Sequence, residues 1–241
     1  MGGLRAPVDR SLLVGRPEEV APALLGTLLV SGPGAAAGRS GEEAGLVTVR
    51  VDEVEAYAGP GEDPGSHAHR GLRPRNRTMF SEPGHLYVYF TYGMHWCVNV
   101  VAHLPGEAGA VLLRAGEVVG GEAAARTRRP PGSTARDLAR GPARLAQALG
   151  LDGRHDGADL CDPTSPVRLL PGQRPPDPAH GPRVGVAGDG AATPWRWWDA
   201  SSRHVSAYRA AARRRRPGET PGAGAHADAP DPQDDPAGGH P

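Results

Sequence analysis

The stretch Leu46-Val-Thr-Val-Arg-Val-Asp-Glu-Val-Glu-Ala-Tyr57 has the clearest strand pattern in the chain. Its valines at odd positions alternate with polar residues, as expected for a strand with one buried face. If the alternation continues, Glu53, Glu55 and Tyr57 lie on the valine face. A carboxylate on an apolar face is costly unless it is hydrogen-bonded or takes part in chemistry. The stretch therefore predicts a core strand that carries candidate site residues.

Aromatic residues are concentrated further along the chain. Six of the eleven lie between Phe80 and Trp96. Within this run, His85–Tyr92 has a strand pattern with Tyr87 and Tyr89 on one face, and Gly93 allows a sharp bend after it. Aromatic residues in strands are usually core or sheet-surface residues. Beside a bend and a basic loop, they also fit the stacking of a flat ring.

The remaining patterns predict several strands and a few short helices. Because strands and helices do not alternate regularly, we predict an α+β fold, a single compact domain around a curved, largely antiparallel β-sheet with short flanking helices. We expect a flexible N-terminus over 1–10, one domain over 11–212, and a disordered tail over 213–241. The other predicted elements are a helix from Arg16, a helix over Gly141–Gly150, and strands over Thr27–Ser31, Trp96–Ala102, Ala110–Ala115, Val167–Leu170, Arg183–Val186 and Trp195–Trp198.

The charged residues narrow the possible functions. The chain contains no lysine, so covalent catalysis through a lysine Schiff base is excluded. The net charge is zero, but residues 217–241 hold five acidic residues and no arginine, which leaves a charge of +5 on residues 1–216 with histidine counted as neutral. A moderately basic body is compatible with nucleic acid, and many other enzymes have a similar charge.

We expect a cytoplasmic, nucleoid-associated protein. The sequence has no apolar run near the length of a membrane span and no secretory signal. The two cysteines, Cys97 and Cys161, are far apart in sequence, which favours reduced thiols over a disulfide or zinc site. His67-Ala68-His69 has no further ligand at supporting spacing, so we predict no metal and no cofactor.

Glu55 is the leading candidate for a catalytic base. It could activate water, or form a salt bridge with an arginine. Glu53, on the same predicted face, leaves open a glycosidase-like pair of acids. Arg114 ends the apolar run Ala110-Val-Leu-Leu and requires a carboxylate partner if it is buried, for which Glu55 is a candidate.

The loop after this strand is basic. Its arginines could bind phosphates, and a solvated loop is an equally good interpretation. They are Arg70, Arg73, Arg75 and Arg77.

A series of motifs connects these candidates in a fixed order along the chain. The motifs are Glu53-Val-Glu55-Ala-Tyr57, Pro74-Arg75-Asn76-Arg77-x-Met79-Phe80, Pro83-Gly84-x-Leu86-Tyr87-Val88-Tyr89-x-x-Tyr92-Gly93-Met94, Asn99, Val111-Leu-Leu-Arg114-Ala115, Gly141–Leu149 and Arg183–Val186. Together they resemble the alkyladenine (3-methyladenine) DNA glycosylase family. The resemblance extends from about Val8 to Arg209 and leaves the tail outside.

The resemblance implies a catalytic pair. Glu55 would deprotonate the water that attacks the sugar C1′. Arg114 would help to hold that water and the carboxylate.

The resemblance also implies base-binding residues. Tyr57 would stack on one face of a flipped base, with His67 and Tyr89 on the other. Asn99 would line the pocket floor and disfavour the 2-amino group of guanine.

Further residues would contact the DNA. Tyr92 would intercalate where the base has left the duplex. Met94, at the bend after the second strand, and Arg75 and Arg77, in the basic loop, are further candidates for DNA contacts.

We therefore expect a monomeric DNA repair enzyme that flips alkylated or deaminated purines out of double-stranded DNA. It would hydrolyse the N-glycosidic bond and leave an abasic site, with 3-methyladenine, 7-methylguanine and hypoxanthine as candidate bases. Two alternatives remain open. A glycoside hydrolase would need a second placed acid such as Glu53, and a non-catalytic nucleic-acid-binding module of related fold would have no use for Glu55.

Overall fold

Val47–Tyr57 forms strand β2, to which most of the sheet is attached. A computed structural model describes residues 5–32, 45–91 and 93–211. One edge of β2 pairs with β5 (Ala110–Gly120). The other edge pairs first with β1 (Leu28–Ser31) and then with β8 (Arg196–Asp199). The predicted strand is thus the central strand of the fold.

The remaining strands extend this arrangement on both sides. They are β3 (Leu86–Thr91), β4 (His95–Val101), β6 (Val167–Leu170) and β7 (Pro178–Gly181). Their order is β3-β4-β5-β2-β1-β6, and β7 pairs with β8. Every pairing between the described strands is antiparallel. The predicted α+β fold with a curved antiparallel sheet is confirmed.

Short helices flank the sheet. The α-helices of the described ranges are α1 (Pro17–Leu24), α2 (Glu122–Thr127) and α3 (Pro142–Leu149). Helix α3 ends at Gly150, where φ is 70° and the N–H donates to the carbonyls of Ala146 and Gln147. A left-handed residue at this position favours glycine, so the predicted stop is confirmed. Short 3₁₀ segments lie at Arg10–Leu13, Pro74–Phe80, Ala135–Asp137, Gly153–His155 and Gly188–Gly190.

A β-bulge changes the buried face of β2. Val51 pairs with Gly116 and Glu53 pairs with Ala115, so Asp52 is an extra residue on β2. One step later Val54 pairs with Leu113, which makes Arg114 an extra residue on β5. Because side chains alternate along a strand, each extra residue turns the following side chains to the other face.

The main core therefore contains odd-numbered valines before Asp52 and the even-numbered Val54 and Ala56 after it. Glu53, Glu55 and Tyr57 lie on the opposite face. The prediction that they share the valine face is wrong, because a two-residue period cannot anticipate an inserted residue.

Two other expectations differ from the structure. Arg183–Val186 is not a strand but a turn with φ of 73° at Gly185, and the adjacent strand is β7. Near the N-terminus, Val8 is buried and its N–H donates to the Leu169 carbonyl at 2.8 Å, so the packed domain extends to Val8.

Tyr92 and the predicted tail 213–241 lie outside the described residues. Within the described ranges, no helix has the length and apolar character needed to cross a membrane.

Gly116 provides a test of the bulge. A Cβ at this position would lie 2.0 Å from the Arg50 carbonyl oxygen, so Gly116→Ala has to push β2 and β5 apart. We expect it to lower the free energy of unfolding by about 2–3 kcal/mol, the range of overpacked cores. Urea denaturation followed by circular dichroism measures the change.

Gly120→Ala is the matched control on the same strand. Its Cβ would lie 3.4 Å from Thr48, an ordinary contact, so we expect a change within about 0.5 kcal/mol. Equal stability of the two variants would contradict the tight approach of the strands at the bulge.

Candidate active site

One face of the sheet forms the wall of a pocket of about 550 Å³, a size typical of small-molecule sites. Strands β2 to β5 supply this wall, and turns around Gly65 and Gly185 cover it. The side chains from the strands are Tyr57, Tyr87, Tyr89, Thr91, His95, Cys97, Asn99, Leu112 and Arg114. The bulge between β2 and β5 turns Tyr57 and Arg114 away from the main core, so one face of the sheet covers the core and the other lines the pocket.

Arg114 joins two buried carboxylates beside the pocket. Its Nε donates to Glu53 Oε1 at 3.0 Å and its Nη1 donates to Glu55 Oε2 at 3.1 Å. Burial disfavours the cation, but Glu55 and Glu53 together offset this cost and raise the pKa of Arg114. The predicted pairing of Arg114 with Glu55 is confirmed in this geometry, and Glu53 is an additional partner.

Glu55 is completely buried and is held by three groups that line the pocket. Its Oε2 accepts from the Tyr57 hydroxyl at 2.8 Å as well as from Arg114. Its Oε1 accepts from the Val184 N–H at 2.6 Å. A carboxylate has about four acceptor positions, so one remains for a further donor such as water.

Glu53, in contrast, accepts four hydrogen bonds. Its Oε1 accepts from Arg114, from Arg196 Nε at 2.6 Å and from Ser206 Oγ at 2.9 Å. Its Oε2 accepts from the Ser206 N–H at 2.7 Å. These four bonds equal the number of acceptor positions of a carboxylate, whereas Glu55 keeps one position for a further donor. The geometry argues against the glycosidase-like pair in which Glu53 is the second acid.

Tyr57 lies between Glu55 and a second buried ion pair. Burial, followed by the charge of Glu55, raises the pKa of Tyr57 well above its ordinary value, so the phenol stays protonated and donates to Glu55. The Arg183 guanidinium lies 4.7 Å from the centre of the Tyr57 ring, a cation–π distance. Arg183 also makes two bonds to Asp63, at 2.5 and 2.7 Å.

Asp63 in turn fixes the chain next to the pocket. Its carboxylate accepts from the N–H groups of Ala58 at 3.2 Å and Gly65 at 2.9 Å. The pair with Arg183 therefore ties the turn after β2 to the turn that contributes Val184.

His67 and Tyr89 form the part of the pocket wall contributed by the loop and β3. Their ring centres are 4.6 Å apart with the planes nearly perpendicular, and His67 Nδ1 lies 3.0 Å from the Tyr87 hydroxyl. Burial, and then the charge of Arg75, lowers the pKa of His67. A neutral ring at neutral pH can both donate and accept a hydrogen bond.

Buried Asn76 holds the backbone of this loop. Its Nδ2 donates to the carbonyls of His67 at 2.8 Å and Gly71 at 3.1 Å, and its Oδ1 accepts from the Arg73 N–H at 2.6 Å. The loop sequence gave no indication of this role, because Asn76 acts on backbone groups up to nine residues away.

Asn99 and Cys97 complete the wall from β4. Asn99 is buried and donates from Nδ2 to the Tyr87 carbonyl at 3.0 Å, which fixes its amide plane at the pocket. Burial raises the pKa of the Cys97 thiol, and the hydroxyl of Tyr89 hydrogen-bonds to it. Both cysteines are free, as expected.

The predicted DNA-contacting residues lie outside the pocket. Met94 is 68% exposed at the turn between β3 and β4, beside Phe90, which is 51% exposed. Arg75 and Arg77 are exposed in the basic loop, and within the described part of the chain neither forms an ion pair. Tyr92 lies outside the described residues.

The structure thus brings Arg114 and the four predicted base-binding residues to the lining of one pocket. Glu55 is fully buried behind this lining and is hydrogen-bonded to three of its members. The sequence reasoning missed the residues that hold them in place. Asp63, Arg196 and Ser206 have no local signal for this role, since the charged partners Arg183 and Glu53 are more than 100 residues away in the chain. Arg183 was noted only as part of a motif.

Comparison with known proteins is consistent with this site. The family model for methylpurine-DNA glycosylase (MPG) matches residues 12–203. A Streptomyces avermitilis protein with the curated name "Putative 3-methyladenine DNA glycosylase" is 50% identical over 88% of this chain and 96% of its own length. Proteins of the same name from Leifsonia xyli and Burkholderia lata are 52% and 48% identical, over 79% and 78% of this chain and over 87% and 85% of their own lengths.

The ion pair between Asp63 and Arg183 is expected to be essential for stability. Asp63→Asn leaves a fully buried guanidinium without its anion, so we expect the free energy of unfolding to fall by about 3–5 kcal/mol. Urea denaturation measures the loss. Glu122→Gln is the control, because it breaks an exposed pair with Arg126 and should cost about 0.5 kcal/mol or less. A loss below about 1 kcal/mol for Asp63→Asn would contradict the structural role.

Proposed function

The chain belongs to the methylpurine-DNA glycosylase family and is a DNA glycosylase, and from that premise we propose that it excises alkylated purines from double-stranded DNA with Glu55 as the general base. The observation that carries the proposal is the hydrogen bonding of Glu55. This carboxylate is fully buried beside the pocket, accepts from three donors, and keeps one acceptor position for water. The candidate bases are 3-methyladenine and 7-methylguanine.

The damaged base enters the pocket after it has been flipped out of the duplex. Tyr57 stacks on one face, and His67 with Tyr89 bounds the other. Asn99, held by the Tyr87 carbonyl, faces the base edge and disfavours the 2-amino group of normal guanine. Tyr92 intercalates where the base has left the duplex, and Met94 at the β3–β4 turn contacts the DNA.

Hydrolysis needs one proton transfer to the enzyme. The water oxygen bonds to C1′ while its proton passes to Glu55, and the bond between C1′ and the purine nitrogen breaks with its electron pair leaving on the base. Methylation at N3 or N7 makes the purine cationic, so it departs as a neutral molecule. Arg114 holds the carboxylate in place during this step.

Hypoxanthine is a neutral base and needs an added proton to leave equally well, so we propose it as a weaker substrate.

The product is an abasic site in uncut DNA. Strand cleavage by a glycosylase of the Schiff-base type needs an amine, and the chain has no lysine. We propose that the enzyme works as a monomer on nucleoid DNA and that the exposed Arg75 and Arg77 contact phosphates.

Glu55→Gln tests the chemistry. The amide keeps the shape of the side chain but cannot take the proton, so we expect excision of 7-methylguanine from a duplex oligonucleotide to fall by about 10³-fold. Binding of the same duplex should stay within a few-fold of the wild type. Single-turnover base release and fluorescence anisotropy measure the two quantities.

Glu117→Gln is the control for the loss of a carboxylate. Glu117 is on β5 and pairs with Arg50 away from the pocket, so this variant should excise normally. Undiminished release by Glu55→Gln would contradict the assignment of the base. Absence of release by the wild type, together with tight DNA binding, would support a non-catalytic binding module instead.

The basic loop is tested by the salt dependence of binding. Replacing Arg75 with Gln removes one phosphate contact, so the slope of log Kd against log salt for undamaged duplex should fall by about 1, and by about 2 in a double variant with Arg77→Gln. Arg126→Gln, an exposed arginine on α2 that pairs with Glu122, should leave the slope unchanged. Identical slopes for all variants would place the DNA elsewhere on the surface.

A further inference from the structure

Residues 202–206, here called the C-terminal strap, follow β8 and form neither helix nor strand. The strap is tied to the domain at every residue. Ser202 Oγ donates to Asp52 at 2.6 Å, and His204 Nδ1 lies 3.5 Å from the same carboxylate. The backbone carbonyls of Arg203, Val205 and Ser206 accept from Arg136, Arg140 and Arg196 respectively.

Ser206, the last residue of the strap, contacts Glu53 and Arg114. Ser206 Oγ donates to Glu53 Oε1 at 2.9 Å and accepts from Arg114 Nη2 at 3.3 Å. Since Arg114 Nε also donates to Glu53 Oε1, the three side chains close a ring of hydrogen bonds. Ser206 belongs to neither the pocket lining nor the partners of Glu55.

This ring determines the rotation of the Arg114 guanidinium. The group is planar and its donors point in fixed directions. With Nε directed to Glu53 and Nη2 directed to Ser206, the remaining nitrogen Nη1 has one direction left, which is that of Glu55. Without the Ser206 hydroxyl, Glu53 holds only Nε, and the other contact of the guanidinium is Glu55 itself, so no group outside that pair sets the plane.

We infer that Ser206 is a positioning residue for the hydrolytic step, acting on Glu55 through the orientation of Arg114. The inference rests on the proposed function of Glu55. Its consequence is specific: loss of the Ser206 hydroxyl slows bond cleavage and leaves DNA binding unchanged, because Ser206 touches neither the base nor the exposed arginines. Small misplacements of reacting groups lower rates strongly.

The test compares Ser206→Ala with the wild type on a duplex that contains one 7-methylguanine. We expect the single-turnover rate of base release to fall by about 10-fold or more, while the Kd for the same duplex changes by less than about 2-fold. Ser206→Thr keeps the hydroxyl and should restore the rate to within about 3-fold. Ser206→Cys keeps the volume with a weaker hydrogen-bonding group, should give an intermediate rate, and serves if the alanine variant does not fold.

Ser202→Ala is the matched control in the same strap. It removes a serine hydroxyl bonded to Asp52 rather than to Glu53, so its rate should equal that of the wild type. The inference is overturned if Ser206→Ala releases base at the wild-type rate, if Ser206→Thr is as slow as Ser206→Ala, or if Ser202→Ala is equally slow. Absence of release by the wild type overturns the proposed function itself, and this inference with it.

Discussion

The contact of one guanidinium with two buried carboxylates is the constraint on which the site depends. Arg114 donates to Glu53 and Glu55 from different nitrogens, and neither acid could be buried as an ion without a cation. Because the two acids lie on β2 and Arg114 lies on β5, the pairing also fixes the register of the two central strands. Folding and the proposed chemistry therefore depend on the same side chains, and an arginine is required because a lysine has no planar fork of donors.

The irregularity of the sheet follows from this contact. A regular β2 would direct Glu53 and Glu55 into the apolar core, where charge is most costly. The extra residues Asp52 and Arg114 lie almost opposite each other, so the side chains of both strands turn to the other face at the same place. The pairing returns to its earlier register at Val54 and Leu113. The even-numbered Val54 and Ala56 then fill the core, and the acids face the pocket without a break in the sheet.

Much of this was predictable from local patterns. The alternation of valines predicted β2, the apolar run before Arg114 predicted a buried arginine with a carboxylate partner, and Gly150 predicted the end of α3. The face of Glu55 was not predictable, because a bulge leaves the composition of a strand unchanged. Nor were the partners of Arg183 and Ser206, which lie 120 and 153 residues from Asp63 and Glu53, a separation over which a single sequence gives no pairing information.

Arginines and acids around the pocket occur in equal number. Glu53, Glu55 and Asp63 are matched by three buried guanidinium groups, those of Arg114, Arg183 and Arg196. These buried charges sum to zero, so they supply no net charge to attract a cationic base over a neutral one at long range. In the proposed function, discrimination between purines then depends on contact, through the shape of the aromatic walls and the directions of individual hydrogen-bonding groups.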